Sequence, residues 1–305
     1  MDAAECLAAA SEALGQLPAA TGDGKFGAAN VFHRGMERPE VSEAQLIGSS
    51  AQARGEGSLA GRVVLVTGAS RGIGAAIALA AGRAGADVAV AYNVHADGAE
   101  RIAGEIRSLG RQAATFQADL ADVTQAKAMV QRVEERFGAI DGLVNNAGIM
   151  PQSPFLEIDE REWDLVLRTD LTAAFACSQA ALPGMLERGR GSIVMITSRL
   201  GQIGFAGVAH YSAAKAGMVA LAKSIAREFG SRGIRANAVA PGVTITDMGS
   251  QVTDGEVGRR RLAELPLGRF GMPDEVASAV IFLLSDDAAL FLGQTLNPNC
   301  GGYMP

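Results

Sequence analysis

Residues 67–74 read Thr67-Gly68-Ala69-Ser70-Arg71-Gly72-Ile73-Gly74, and they lie where a strand pattern gives way to a helix pattern. Upstream, Arg62–Thr67 is a continuous β-branched run, and downstream Ile73–Ala84 carries helical apolar spacing. A glycine turn that opens a helix lets backbone N–H groups and the positive helix end face a pyrophosphate. Gly68, Ser70, Arg71, Gly72, Ile73 and Gly74 are therefore candidates for holding a dinucleotide. The spacing is Gly-x3-Gly-x-Gly rather than Gly-x-Gly-x-x-Gly, so the generic fingerprint fits loosely. Its place after a first strand carries the reading.

Outward from this turn the chain alternates. Asp87–Tyr92, Gln112–Gln117, Gly142–Asn145, Ser192–Thr197, Arg235–Ala240 and Gln294–Leu296 read as further strands. Between them, Gly98–Leu109, Thr124–Phe137, Asp159–Leu186, Tyr211–Phe229 and Pro273–Leu284 read as helices, with a break expected at Pro183. Strands apolar on both faces alternating with helices give an α/β fold, a doubly wound parallel sheet covered on both sides. The pattern begins at Leu59. Residues 1–58 form an N-terminal extension, expected to be flexible, and residues 59–305 a single domain.

The extension is rich in Ala, Gly and Ser and has a net charge of −4, within a whole-chain charge of −6. A short helix is expected at Ala3–Leu17, and Met36 is an alternative downstream start. The acids in it and the lack of a long apolar stretch argue against a targeting peptide. Hydrophobic residues make up 48% of the 305, enough for a large core, and no apolar run spans a membrane. The acidic balance argues against nucleic acid or a polybasic membrane contact. Cys6, Cys177, Cys300, His33, His95 and His210 match no metal spacing. Sparse cysteines fit a reducing, cytoplasmic setting.

The second chemical signal is Tyr211-Ser212-Ala213-Ala214-Lys215. A tyrosine and a lysine four apart on a helix share one face. Lowering a phenol by 2–3 pKa units from about 10 costs roughly 3–4 kcal/mol. One cation at about 5 Å, with an effective dielectric near 20, supplies roughly 3 kcal/mol. Lys215 is thus expected to bring Tyr211 towards the range of a catalytic acid/base. Ser198 closes the strand Ser192–Thr197, at the end where ligands bind in open α/β sheets. No Gly-x-Ser-x-Gly elbow surrounds it, which argues against a serine hydrolase. After the second strand the chain reads Ala91-Tyr92-Asn93-Val94-His95, without the acid that holds a ribose 2′-hydroxyl. Arg71 can serve a 2′-phosphate instead. NADP(H) is the expected cofactor, with NAD(H) the alternative and no metal.

Thr67–Gly74, Asn145-Asn146-Ala147-Gly148, Ser198, Tyr211-x3-Lys215 and Pro241-Gly242 occur in the order and spacing of the short-chain dehydrogenase/reductase family, which residues 59–305 resemble. Within it the chain looks most like the 3-oxoacyl-(acyl-carrier-protein) reductases, through Ala69-Ser70-Arg71, Pro266–Phe270 and Gly293–Leu296. The resemblance implies a Rossmann-like fold and an oxidoreductase of fatty acid biosynthesis. Tyr211 would exchange a proton with the substrate oxygen, Ser198 would hydrogen-bond that oxygen, and Lys215 would grip the nicotinamide ribose. Asp119 would sit by the adenine, with Asn145, Ala147 and Gly148 along the cofactor's path. Thr246 would contact its carboxamide end, and Leu120, Pro241, Gly242 and Thr244 would bind the cofactor as well. A homotetramer acting on an acyl carrier protein is implied too, with Arg188, Arg190 and Arg232 corresponding to a basic rim for that acidic carrier.

The chain departs from the family at Asp170, where relatives usually carry an asparagine that helps hold a proton-relay water. An aspartate near Lys215 would oppose part of the tyrosine's pKa depression, leaving turnover reduced and its optimum raised. Cys300 stands where relatives carry glycine and is expected to be a small packed residue. The leading expectation is NADPH-dependent reduction of a 3-oxoacyl thioester to its 3-hydroxyacyl form. Alternatives are a dehydrogenase of another secondary alcohol, such as a cyclic diol, sugar or polyketide intermediate, or a non-catalytic NADP-binding protein.

Overall fold

The computed structural model describes residues 57–249, 253 and 255–305. The expected extension, except for its last two residues, and the helix at Ala3–Leu17 lie outside the described residues. Seven strands form one sheet: β1 Val63–Val66, β2 Asp87–Tyr92, β3 Ala113–Gln117, β4 Gly142–Asn145, β5 Gly191–Ile196, β6 Ile234–Val239 and β7 Thr295–Leu296. Their order is β3-β2-β1-β4-β5-β6-β7, and every pairing is parallel. This is the doubly wound, Rossmann-like sheet that the sequence pattern predicts. β1 lies between β2 and β4, so successive crossovers leave in opposite directions and a crevice opens at the carboxyl ends of the strands.

Alternation within β1 shows how the sheet acquires two cores. Leu65 points to a cluster with Met129 and Val133 of α3 (Val123–Phe137) and with Cys177 and Met185. Val64 and Val66 point the other way, towards Ile77 of α1 (Gly72–Arg83) and Ile102 and Ile106 of α2 (Ala96–Ser108). Every residue of β1 is buried, which explains why this strand reads as an unbroken apolar run. Asp122 caps α3 by accepting from Thr124 N at 2.8 Å, and Gly138 ends it at φ 80°.

The stretch expected as one helix over 159–186 is three pieces. α4 (Glu160–Val166) passes into a π turn, Leu167–Thr172, and then into α5 (Ala173–Glu187). The expected break at Pro183 is corrected: α5 runs through it to Glu187. Leu182 and Met185 bury in the sheet core on either side of the proline, and Arg188 donates to Ile140 O at 2.7 Å just beyond it. Packing there outweighs the single hydrogen bond a proline forfeits near a helix end. The remaining helices are α6 (Leu200–Ile203), α7 (Ala209–Phe229), α8 (Gly255–Ala263) and α9 (Pro273–Leu284).

Arg188 and Arg190 precede β5 and Arg232 precedes β6, so all three lie at the end of the sheet opposite the crevice. Arg190 Nε sits 3.2 Å from the buried carboxylate of Asp141. The three residues expected to form a basic rim for an acidic carrier therefore stand away from this chain's crevice. Cys300 is the only non-glycine with positive φ among the described residues, at 56°. A glycine would adopt that conformation without strain.

Candidate active site

The carboxyl ends of the central strands open into one cavity of about 610 Å³. Its floor at β1 is the glycine turn. Gly68 and Gly72 adopt φ 63° and 57°, values that a side chain would disfavour. Thr67 Oγ1 accepts from Asn146 N at 2.9 Å and Ala147 N at 3.0 Å, tying the end of β1 to the end of β4. Asn146 Nδ2 donates in turn to the carbonyls of Thr67 and Gly68, at 2.9 and 3.2 Å. A Cβ on Gly74 would lie 2.3 Å from Gly68 O, so α1 can start this close to the turn only with glycine there.

All six candidates in the turn line the cavity, as do Asp119, Leu120, Ala147 and Gly148. Pro241, Gly242, Thr244 and Thr246 line it beyond the end of β6. Asn145 does not. It is buried, donating to Ser178 Oγ at 3.1 Å and Met195 Sδ at 3.4 Å, and it joins β4 to α5 and β5 from behind the wall. Neighbours on a strand face opposite ways, so the lining position passes to Asn146. Arg71 is exposed and pairs with Asp247 at 3.1 Å across the cavity mouth. Asp119 Oδ1 accepts from Ala121 N at 3.1 Å and from Asn93 Nδ2 at 3.4 Å, beside the end of β2.

The glycine cradle fits an extended ligand with a phosphate-bearing middle. Gly68 and Gly74 are held against backbone, whereas a Cβ on Gly72 would meet nothing nearer than Thr246, 3.6 Å away. The first turn of α1 contains no acid that would repel an anion.

Ser198, Tyr211 and Lys215 come together in the same cavity. Tyr211 and Lys215 lie on the first turns of α7, both buried, with Lys215 Nζ 5.4 Å from the centre of the Tyr211 ring. Lys215 Nζ donates to Ile196 O at 3.1 Å, which anchors it to the last residue of β5. Ser198 follows that strand and its Oγ accepts from Leu200 N at 3.1 Å, starting α6. Its hydroxyl also hydrogen-bonds the Tyr211 phenol.

Asp170 stands behind this group instead of lining the cavity. The π turn directs it inward, and its Oδ1 accepts from Ile149 N at 2.9 Å. Oδ2 lies 3.1 Å from Lys215 Nζ but is poorly aligned for a hydrogen bond, so the contact is chiefly charge on charge. Gly148 makes room for it: a Cβ there would fall 2.6 Å from Asp170 Oδ2 and 3.0 Å from Lys215 Nζ.

The electrostatics differ from the expectation for Tyr211. Burial raises its phenol, Lys215 lowers it, Asp170 raises it again and the Ser198 hydrogen bond lowers it; the balance lies above the usual value. For Lys215, burial lowers the ammonium, yet the charges of Asp170 and Tyr211 together hold it above the usual range. Burial likewise raises Asp170 despite the lysine beside it. The lysine alone would depress the tyrosine. Its counter-charge removes much of that influence, and the pocket's dryness removes more.

A neighbouring network was not singled out from the sequence. His210, fully buried, accepts at Nδ1 from Tyr211 N at 2.9 Å, and its Nε2 lies 2.8 Å from Glu162 Oε1. The Ser153 and His210 hydrogen bonds hold Glu162 below the usual carboxylate range. The signal was a histidine immediately before the tyrosine, in a chain with only three histidines. Among the described residues no group of acids, histidines and cysteines is arranged to hold a metal, and no helix is long and apolar enough to cross a membrane.

A family model described as enoyl-(acyl carrier protein) reductase matches residues 68–303. The chain is 45% identical over 240 residues to a 3-oxoacyl-(acyl-carrier-protein) reductase of Staphylococcus aureus, covering 79% of this chain and 97% of that one. It is 42% identical over 247 residues to the 3-oxoacyl-(acyl-carrier-protein) reductase of Vibrio cholerae, covering 81% and 99%. The crystal structure of a short chain dehydrogenase from Burkholderia cenocepacia in complex with NADP superposes with a TM-score of 0.77 at 37% identity, covering 80% and 99%. With that match across most of its length, the chain belongs to the short-chain dehydrogenase/reductase family of oxidoreductases.

Proposed function

We propose that the protein uses NADP(H) to interconvert a ketone and a secondary alcohol, and that its substrate is a 3-oxoacyl thioester reduced to the 3-hydroxyacyl form. One observation carries the reading: the Tyr211 phenol, its Ser198 hydrogen bond and the Lys215 ammonium share a cavity with a glycine turn shaped for a dinucleotide. When bound, the nicotinamide supplies a hydride to the carbonyl carbon. Tyr211 donates the proton that the carbonyl oxygen then needs, so the ketone gains two electrons and two hydrogens in balance. Ser198 donates a hydrogen bond to that oxygen and fixes it near the phenol. Lys215 stabilises the phenolate left behind, held in place by Ile196 O and Asp170.

Tyr211 is protonated at neutral pH, as its role as the acid in reduction requires. The relatives named 3-oxoacyl-(acyl-carrier-protein) reductases support the thioester. Arg71 at the turn, the acid-free end of β2 and the NADP-bound relative support NADP(H) over NAD(H). Gly68 to Gly74 would hold the pyrophosphate, Asp119 and Leu120 the adenine end, and Ala147, Gly148 and Thr246 the remainder.

The test is oxidation of NADPH in the presence of acetoacetyl-CoA. Turnover that disappears in Tyr211→Phe supports the proposal. Tight NADP binding without turnover of any carbonyl compound refutes it.

A further inference from the structure

Besides Arg71, two arginines, Arg199 and Arg261, line the cavity that holds the tyrosine. Arg199 directly follows Ser198 and is only 7% exposed. Its Nη1 donates to Gly302 O at 3.2 Å. Gly302 must lack a side chain for this, since a Cβ there would fall 2.5 Å from the same nitrogen. Arg261, on α8, stacks its guanidinium over the ring of Phe205, 4.6 Å from the centroid. Phe205 belongs to the loop between α6 and α7, which leads from Ser198 to Tyr211.

The charge of Arg261 reaches Arg199. Burial holds Arg199 below the usual guanidinium range, the Arg261 charge pushes it further down, and Glu264 opposes both. Among the described residues, no carboxylate reaches within 4.0 Å of either group. Arg235 shows the usual treatment of a half-buried arginine here, donating to the carbonyls of Leu283, Leu284, Ser285 and Ala288. Among the described residues, Arg199 has one such carbonyl, a second cation beside it and only the more distant Glu264 to offset them. Gathering like charges in a shielded cleft is unfavourable unless a ligand brings the opposite charge.

We infer that Arg199 and Arg261 form an anion-binding subsite, and that the substrate carries a carboxylate or a phosphate group which they hold while its carbonyl meets Ser198 and Tyr211. A guanidinium pair suits either group through paired, charge-assisted hydrogen bonds. The phosphate would come from the pantetheine arm of a thioester, the carboxylate from a free oxo acid. The inference rests on the carbonyl-reducing reading above and narrows its substrate class.

Calorimetry on the full-length protein, with and without NADP⁺, separates the sources: 4′-phosphopantetheine against pantetheine, and acetoacetate against acetone. One of the anions binds about tenfold or more tightly than its neutral counterpart. In Arg261→Gln and in Arg199→Gln that preference falls to roughly threefold or less. Arg261 is half-exposed, so its variant keeps the test decisive if loss of the Arg199–Gly302 contact unfolds the other. Equal binding of charged and neutral partners in the parent protein overturns the inference, as does a preference that survives in Arg261→Gln. Binding is read without turnover, so failure to reduce any thioester sinks the proposed reaction and leaves the subsite to be judged alone.

Discussion

The carboxylate of Asp170 lies 3.1 Å from the ammonium of Lys215, and neither side chain meets solvent to any useful degree. This pair sets the charge felt by Tyr211. Burial raises the phenol most, and replacing the carboxylate with an amide of the same shape removes the second raising contribution. In Asp170→Asn the tyrosine therefore ionises at lower pH. Alcohol oxidation needs the phenolate and speeds up as pH rises through that ionisation, so its rising limb moves to lower pH. Reduction needs the phenol, so its falling limb moves the same way. Paired pH–rate profiles in both directions measure this, and profiles that coincide with the parent's reject it.

Stability tests the same pair from the other side. Asp170→Ala leaves Lys215 buried without its counter-charge and lowers unfolding free energy by roughly 3–5 kcal/mol. Asp170→Asn retains an acceptor for Ile149 N and loses less. Chemical denaturation of the three proteins ranks them.

Tyr211→Phe keeps the buried ring but removes the acid. Turnover falls by about 10²–10⁴-fold while the melting temperature and NADP⁺ affinity stay near the parent's. A loss of cofactor affinity as large as the loss in rate would assign the hydroxyl to binding instead.

Among the described residues, Arg71 pairs with Asp247 across the mouth. Arg71→Ala weakens NADP⁺ by about ten- to hundredfold, the worth of a charged hydrogen bond, and leaves NAD⁺ much less affected. The ratio of kcat/KM for the two cofactors is the measurement.

Gly148→Ala forces a methyl group to 2.6 Å from Asp170 Oδ2. The wall must shift, at a cost of roughly 1–3 kcal/mol, and Lys215 shifts with it. Activity falls more than stability does, as parallel melting and rate measurements would reveal.

Away from the site, Arg269 and the Met272 N–H hold the Glu275 carboxyl down to about 2, from an ordinary 4.5. A depressed carboxylate contributes stability above its unfolded value and loses it as pH falls towards the folded one. Glu275→Gln is therefore less stable than the parent at neutral pH. The gap closes between pH 4.5 and about 2, which melting curves across that window would follow.

What could be read from the letters was local. The turn at Gly68–Gly74 and its flanking elements follow from contiguous residues, and Tyr211 and Lys215 meet because four residues make about one helical turn. Asn145 and Asn146 could not be told apart, because adjacent strand residues face opposite ways and the sequence does not say which faces the ligand. The π turn is hidden because its apolar spacing barely differs from that of an α-helix. Arg199 and Arg261 belong to elements distant in the chain and meet only through folding. The rise in Tyr211 depends on burial, which no spacing encodes.

The π turn at Leu167–Thr172 also works as a length gauge. Its wider loops accommodate an extra residue relative to an α-helix. Deleting one residue there would restore ordinary winding and remove the wide turn that directs Asp170 inward. The contact from Ile149 N to Asp170 Oδ1 depends on that turn. Chain length across these six positions is thus constrained more tightly than the identity of the solvent-facing residues within them.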